Sequence, residues 1–289
     1  MNKKDKKKSV MRQALDMELR EHKSSFAVYA FLRGFVILAL IRQTINGNYE
    51  NAFLCVLTLI LLVMPSLIQL KLKVELPSVL EIILLLFIFA AEILGEIHAF
   101  YIKIDSWDTI LHTMNGFLMA AIGFALVDIL NRQEKLTFRL SPLFMAVVAF
   151  CFSMTIGVLW EFFEFSMDYF FMLDMQKDTI ISGISSVMLD PTGGNTPTKI
   201  TGIQDVIING QNLGLGGYLD IGIIDTMKDL FVNFIGAVVF SVIGYFYVKS
   251  KGNGRFARRF IPQLKAEDTD YLAQVKENQE QKKEGLMEE

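Results

Sequence analysis

The sequence predicts an all-α, polytopic integral membrane protein, a bundle of about six transmembrane helices. Three observations predict it. The 289-residue chain is 52% hydrophobic before its 20 glycines are counted, whereas soluble domains reach about 45–50% with glycine included. The apolar residues come in runs of roughly the twenty residues a spanning helix needs. The 28 Lys and Arg residues fall almost entirely between those runs. The net charge of −3 carries little information, because the charges are segregated along the chain.

In chain order, residues 1–25 are polar and start with Lys3, Lys4, Lys6, Lys7 and Lys8. From Ser9 onward Met11, Leu15 and Leu19 fall on one side of a short helix, the pattern of a cytoplasmic segment lying on anionic lipid. Nucleic acid is not an expected partner: no aromatics interleave the lysines and no second basic patch of similar density stands beside them. No apolar core of a signal peptide follows within these residues.

Six spans are expected at 26–45, 51–70, 78–101, 107–130, 142–171 and 222–248. Pro65 should kink the second. Pro77 and Pro142 stand at span starts, where proline is tolerated. The fifth run is long enough to tilt or to continue past the bilayer. With an even number of spans both termini share a side. That side collects twenty-two of the 28 Lys and Arg residues, among them three in the loop 131–140. The opposite side holds Arg42, Lys103, Lys177, Lys199 and Lys228, and Arg33 lies within the first span. The positive-inside rule therefore places both termini in the cytoplasm of a bacterial inner-membrane protein.

Residues 172–221 form an external loop rich in Gly, Asn, Thr and Asp. Asp190-Pro191-Thr192-Gly193-Gly194-Asn195 signals a turn, and Lys199-Ile200-Thr201 and Val206-Ile207-Ile208 allow a small hairpin. An ordered cap over a polar site is the favoured expectation for a loop of this length. Beyond the last span, residues 249–260 combine Lys249, Lys251, Arg255, Arg258 and Arg259 with Phe256 and Phe260, suited to anionic headgroups. Residues 266–289 read as a solvated helix or a disordered tail. The domain reading is thus a basic segment 1–25, a membrane domain 26–248 and a charged tail 249–289. Cys55 and Cys151 lie in apolar runs and are expected to be buried thiols without a disulfide. No internal repeat is visible.

The chemistry sits at one end of the spans. Trp107-Asp108-Thr109-Ile110-Leu111-His112-Thr113-Met114-Asn115-Gly116 places an acid, an imidazole and an amide at i, i+4 and i+7, within about 60° on a helix. Three further stripes follow the same logic: Glu92 and Glu96 with His98 beyond; Glu161, Glu164 and Asp168 beside Trp160; and Asp225, Asp229 and Asn233 with Lys228 adjacent. All four map to the outer half of the membrane. Charged groups inside a span cost roughly 2.5–3.5 kcal/mol each on insertion scales, so four stripes at one depth point to a purpose. The acids outnumber the bases His98, His112 and Lys228. Shared protons, a bound cation or a water-filled vestibule could each relieve the excess. Asp108, His112, Glu161, Glu164, Asp225 and Asp229 are the candidate metal ligands, an oxygen-and-imidazole set that suits Zn, Mn or Fe better than Ca. Glu161, Glu164 and Asp229 are the candidate catalytic groups, with Glu92, Glu96, Asn115 and Asn233 completing the polar site. No HExxH, nucleophile elbow, Walker loop or dinucleotide fingerprint is present. Arg33 could pair with Glu81 or Asp128, or snorkel to the cytoplasmic face.

The order Asp108-x-x-x-His112-x-x-x-Gly116, then Glu161-x-x-Glu164, then Asp225-Thr226-x-x-Asp229 ahead of Gly236-Ala237 resembles the YjdF-type bacterial inner-membrane proteins over about residues 50–248. Asn115 stands where members often carry Gln, and Lys228 where a Trp is usual. The resemblance implies a multi-pass membrane fold and assigns no activity. A fainter likeness is to VanZ-type proteins, which also place an Asp-x-x-x-His-like element before an acidic helix start. Three functional classes follow: a metal-dependent membrane enzyme acting on a lipid or envelope intermediate, a cation- or proton-coupled transporter, and a non-catalytic scaffold. The bilayer is the expected partner of all three.

Overall fold

The computed structural model describes residues 3–131, 139–251 and 256–285. Most of the basic loop 131–140, part of the basic segment 249–260 and the last residues of the tail lie outside the described residues. Six helices are long and apolar enough to cross a membrane: Lys23–Ile45, Tyr49–Leu72, Ser78–Ile97, Trp107–Asn131, Pro142–Phe171 and Ile223–Lys249. The chain is a multi-pass membrane protein, and the few strands among the described residues are two to four residues long. It divides into two compact units, Met1–Ser153 with Asn233–Glu289, and Met154–Val232.

In the first unit, α1 (Lys3–Arg20) leads through a bend into α2 (Lys23–Ile45), the first span. The second span is two helices, α3 (Tyr49–Leu61) and α4 (Met64–Leu72), with Pro65 in the first turn of α4. Proline lacks an N–H and fits only where no helical bond is required of it, so the expected kink becomes a break at Leu62–Val63. α5 (Ser78–Phe89) continues as a π-helical turn over Ala90–Ile97. The span stops there rather than at 101: Ala99 has φ of 58° and starts the short α6 (Phe100–Lys103). α7 (Trp107–Asn131) and the first part of α8 (Pro142–Phe171) follow.

One core of this unit joins Tyr29, Leu32 and Val36 of α2 with Cys55, Leu62, Leu85 and Ile93. A second feature is the crossing of α7 with α9 (Ile223–Lys249). A Cβ on Gly116 would run into the Asn233 carbonyl, and one on Gly236 into that of Thr113. Between helices in lipid, where no hydrophobic drive operates, such small residues let backbones approach and dispersion act. Phe240 then packs edge-on against Phe117 and Phe124, with centroids at 5.1 and 6.0 Å. Cys55 is buried as expected, but Cys151 is exposed on α8, on a surface that the apolar composition assigns to lipid.

Both terminal segments depart from expectation. α1 turns Val10 and Ala14 into a cluster with Leu70 and Val275, with Met11 and Leu15 at its margin and Leu19 against the core around Tyr29. The charged tail is therefore not simply solvated: α10 (Tyr271–Gly285) packs on α1 through Tyr271, Leu272 and Val275. Residues 256–270 fold back along the unit. Val74–Glu75 pairs antiparallel with Gln263–Leu264, Ile261 is fully buried, and Phe260 packs on Phe117 at 5.4 Å. Lys265 is clamped there, its Nζ 2.6 Å from both Glu18 oxygens and 3.4 Å from a Glu21 oxygen. Arg33 meets neither Glu81 nor Asp128 in an ion pair. It donates to the Tyr29 hydroxyl, while Glu81 accepts from Gln69 Nε2 at 3.3 Å.

In the second unit the loop after α8 is ordered by three small antiparallel pairings. Ile180–Ile181 pairs with Tyr218–Leu219, Gly183–Ser186 with Thr198–Thr201, and Ile207–Ile208 with Gln211–Asn212. The segments 199–201 and 206–208 each find their own partner instead of pairing with one another. The turn signal holds: the Asp190 carboxylate accepts from Thr192 N at 2.9 Å and from its hydroxyl at 2.7 Å. Those bonds hold its carboxyl below the usual range.

Candidate functional site

In the first unit the site starts at the first turn of α7. Trp107 packs edge-on against Phe100 at 5.0 Å and fixes the entry of the helix. One residue on, Asp108 Oδ1 lies 3.4 Å from His112 Nε2, with the side chains 24% and 12% exposed respectively. The i, i+4 spacing places them on one face, as the sequence requires. The other carboxylate oxygen, Asp108 Oδ2, is buried and has no hydrogen-bond partner among the described residues. A turn further in, Asn115 Nδ2 donates to Asn233 Oδ1 at 3.2 Å, and Asn233 is 1% exposed. These two predicted polar residues meet across the glycine crossing of α7 and α9. Ser153, which the sequence reading passed over, donates its hydroxyl to the Gly116 carbonyl at 2.7 Å. Its only signal was a hydroxyl inside an apolar run.

Glu92 and Glu96 were expected to share a stripe. The π-helical turn that carries them opens the helix to i→i+5 bonding, and Glu92 is half-buried while Glu96 is exposed. His98 is exposed and gives its carbonyl to Lys103 Nζ at 2.8 Å, a helix-end role. Gly95 beneath the Tyr101 ring leaves no room for a Cβ, which fixes the chain at this point.

In the second unit Glu161, Glu164 and Asp229 are all buried, at 4%, 8% and 1% exposure. The Trp160 indole N–H donates to Glu164 Oε1 at 2.8 Å, one turn along α8. Asp168 and Asp225 hold the loop backbone instead. Asp168 accepts from Met175 N at 2.6 Å and Gln176 N at 2.8 Å, and Asp225 accepts from Lys177 N at 2.8 Å. Gln176 adds a side-chain bond to the Thr226 hydroxyl. Asp220, absent from the sequence reading, accepts from Thr179 N at 2.6 Å and Ile224 N at 2.9 Å. It anchors the start of α9, and an acid just ahead of an apolar run was the signal for it. Partial burial works against its charge, but these N–H donors hold its carboxyl below the usual range. Asp178 moves the other way, raised by partial burial and by the charges of Asp174, Asp220 and Asp168.

Two kinds of acid are thus present. Asp168, Asp220 and Asp225 satisfy backbone amides. Asp108 keeps an oxygen in reserve beside an imidazole. Ligand atoms of a tetrahedral site with bonds near 2.1 Å are separated by roughly 3.4 Å, the spacing that Asp108 Oδ1 and His112 Nε2 show.

Neither a curated protein nor a solved structure matches the chain. The family described as "Predicted membrane protein (DUF2238)" matches residues 28–250, which includes every predicted site residue. The chain belongs to this DUF2238 family of predicted membrane proteins.

Proposed function

We propose that this protein is a divalent-metal-dependent membrane enzyme acting on a lipid or envelope intermediate at the outer leaflet of the bacterial inner membrane, with both termini cytoplasmic. The observation that carries the reading is the Asp108–His112 pair, at ligand spacing with a buried oxygen left over. Asp108 and His112 serve as ligands, and Asp229, Glu161, Glu164 and Asp225 are the further oxygen donors the sequence offers. Asp225 also retains its loop bond to Lys177. Zn, Mn or Fe fits this donor chemistry. Held by these residues, a cation would supply Lewis-acid polarisation of a phosphoryl or carbonyl oxygen and would acidify a water. Whichever of Glu161 and Glu164 does not hold the cation serves as general base, and the Trp160 indole N–H orients Glu164.

The test compares lipid and envelope-intermediate pools, by mass spectrometry, in cells producing the parent or one of four variants. The variants are Glu161→Gln, Glu164→Gln, Asp229→Asn and His112→Ala, each checked for membrane insertion. The parent shifts a pool and the variants do not; four variants indistinguishable from the parent would overturn the site.

A cation- or proton-coupled transporter is the second reading. The buried Gln69–Glu81 hydrogen bond favours it, because polar groups then also occupy the other end of the spans. A flux through liposomes that needs His112, without any change in lipid pools, would select that reading. A scaffold predicts neither change.

A further inference from the structure

We propose that the groove between α1 and the first two spans binds the headgroup of an anionic phospholipid, with Arg12 and Arg33 as its phosphate ligands. The groove has a volume of about 820 Å³. Arg12 and Arg33 both line it, over apolar ground supplied by Leu15, Leu19 and Val63. Arg33 stands well inside α2, where a guanidinium requires a counter-charge or a route to the interface. Among the described residues it has no ion pair with a carboxylate. Its one hydrogen bond goes to the Tyr29 hydroxyl one turn earlier, and its guanidinium lies 5.7 Å from the Tyr29 ring.

That geometry aims the group. Helical side chains lean toward the N-terminus of their helix, so Arg33 points back toward the end of α2 beside which α1 runs. A guanidinium has five N–H donors in a planar fork. Tyr29 accepts from one, and Arg33 lines the same groove that Arg12 borders from α1. The carboxylate that also lines the groove, Asp16, is engaged by Arg20 at 3.3 Å. Two guanidiniums over an aliphatic floor complement a phosphodiester with the first carbons of its acyl chains. This chemistry favours an anionic lipid over a zwitterionic one, whose own ammonium would meet the same two cations. Arg12 precedes the residues matched by the family and Arg33 lies within them, so the groove joins family and non-family parts of the chain.

The experiment uses the full-length protein in mild detergent, with bound lipid counted by native mass spectrometry during titration with phosphatidylglycerol or phosphatidylcholine. One phosphatidylglycerol should bind per chain, about tenfold more tightly than phosphatidylcholine, and Arg33→Gln or Arg12→Gln should each weaken it about tenfold. Arg42→Gln, near the far end of α2, should leave it unchanged. Equal binding of the two lipids, or Arg12→Gln and Arg33→Gln both binding like the parent, overturns the proposal. So does full displacement by inorganic phosphate at matched concentration, which would make the groove a site for a free anion. If Arg33→Gln fails to give a monodisperse protein, Arg12→Gln, whose side chain is exposed, decides alone.

Discussion

Glu18 and Asp108 lie in the same unit, and both are drawn away from water. Glu18 is 3% exposed and has the Lys265 ammonium 2.6 Å from each of its oxygens. Asp108 faces an imidazole at 3.4 Å with one oxygen and leaves the other buried without a hydrogen-bond partner among the described residues. The first acid is fully engaged and fastens the terminal segments together. The second retains capacity for a ligand. Counting buried acids does not separate the two roles; following each oxygen to its partner does. The regions around them are also held differently. The α7–α9 crossing beyond Asp108 depends on backbone contact at Gly116 and Gly236, whereas the terminal region adds ion pairs of Lys265 and Lys73 to its apolar cluster.

That difference can be broken from either side. The largest effect belongs to the crossing: Gly236→Leu drives a side chain into the Thr113 backbone. It should abolish recovery of monodisperse protein, read by size-exclusion chromatography; near-normal recovery would mean the contact is not close. Next, Lys265→Met strands Glu18 in a buried place and should cost of order 3 kcal/mol, read as a lower unfolding midpoint. Adding Glu18→Gln should restore most of that loss. A double variant no better than the single one would show that Glu18 and Lys265 do not act as a pair.

A smaller effect is a pH dependence. Burial pushes the Glu18 carboxyl up from its ordinary 4.5 to about 7, against the pull of Lys265 and with help from Glu21 and Glu81. A folded pKa above the unfolded one means the folded state holds the proton longer. The stabilisation is therefore complete below about pH 4.5 and is lost as pH rises through about 7. Hydrogen exchange of α1 and α10 amides, corrected for intrinsic rate, should show weaker protection at pH 8 than at pH 5.5, and Glu18→Gln should flatten the difference. The smallest stability effect is expected from Asp108→Asn in metal-free protein: under about 1 kcal/mol, because only the contact with His112 is changed. A large drop in the unfolding midpoint would place Asp108 with Glu18 among the structural acids.

Much of this architecture was legible in the sequence. Hydropathy located six spans to within a few residues, because a bilayer imposes a length on each apolar run. Pro65 announced the break in the second span. The i, i+4 spacing joined Asp108 to His112, but the contact of Asn115 with Asn233 is made between two helices and could not be read from either stripe alone. The π-helical turn at Ala90–Ile97 was not legible, since periodicity over eight residues does not distinguish it from an α-helix. The docking of α1 on α10 was missed because three apolar residues, Tyr271, Leu272 and Val275, are too few to stand out in a charged tail. Asp168 and Asp225 were read with the other acids. A carboxylate near a helix end has the same sequence pattern whether it accepts from a cation or from a loop amide.

The most direct test of the central claim is elemental analysis of the purified protein beside an Asp108→Ala/His112→Ala variant. Close to one transition-metal ion per chain is expected in the parent, and its loss from the double variant, which remains membrane-inserted and monodisperse. A parent that takes up no metal after loading, or a variant that keeps as much as the parent, would contradict it.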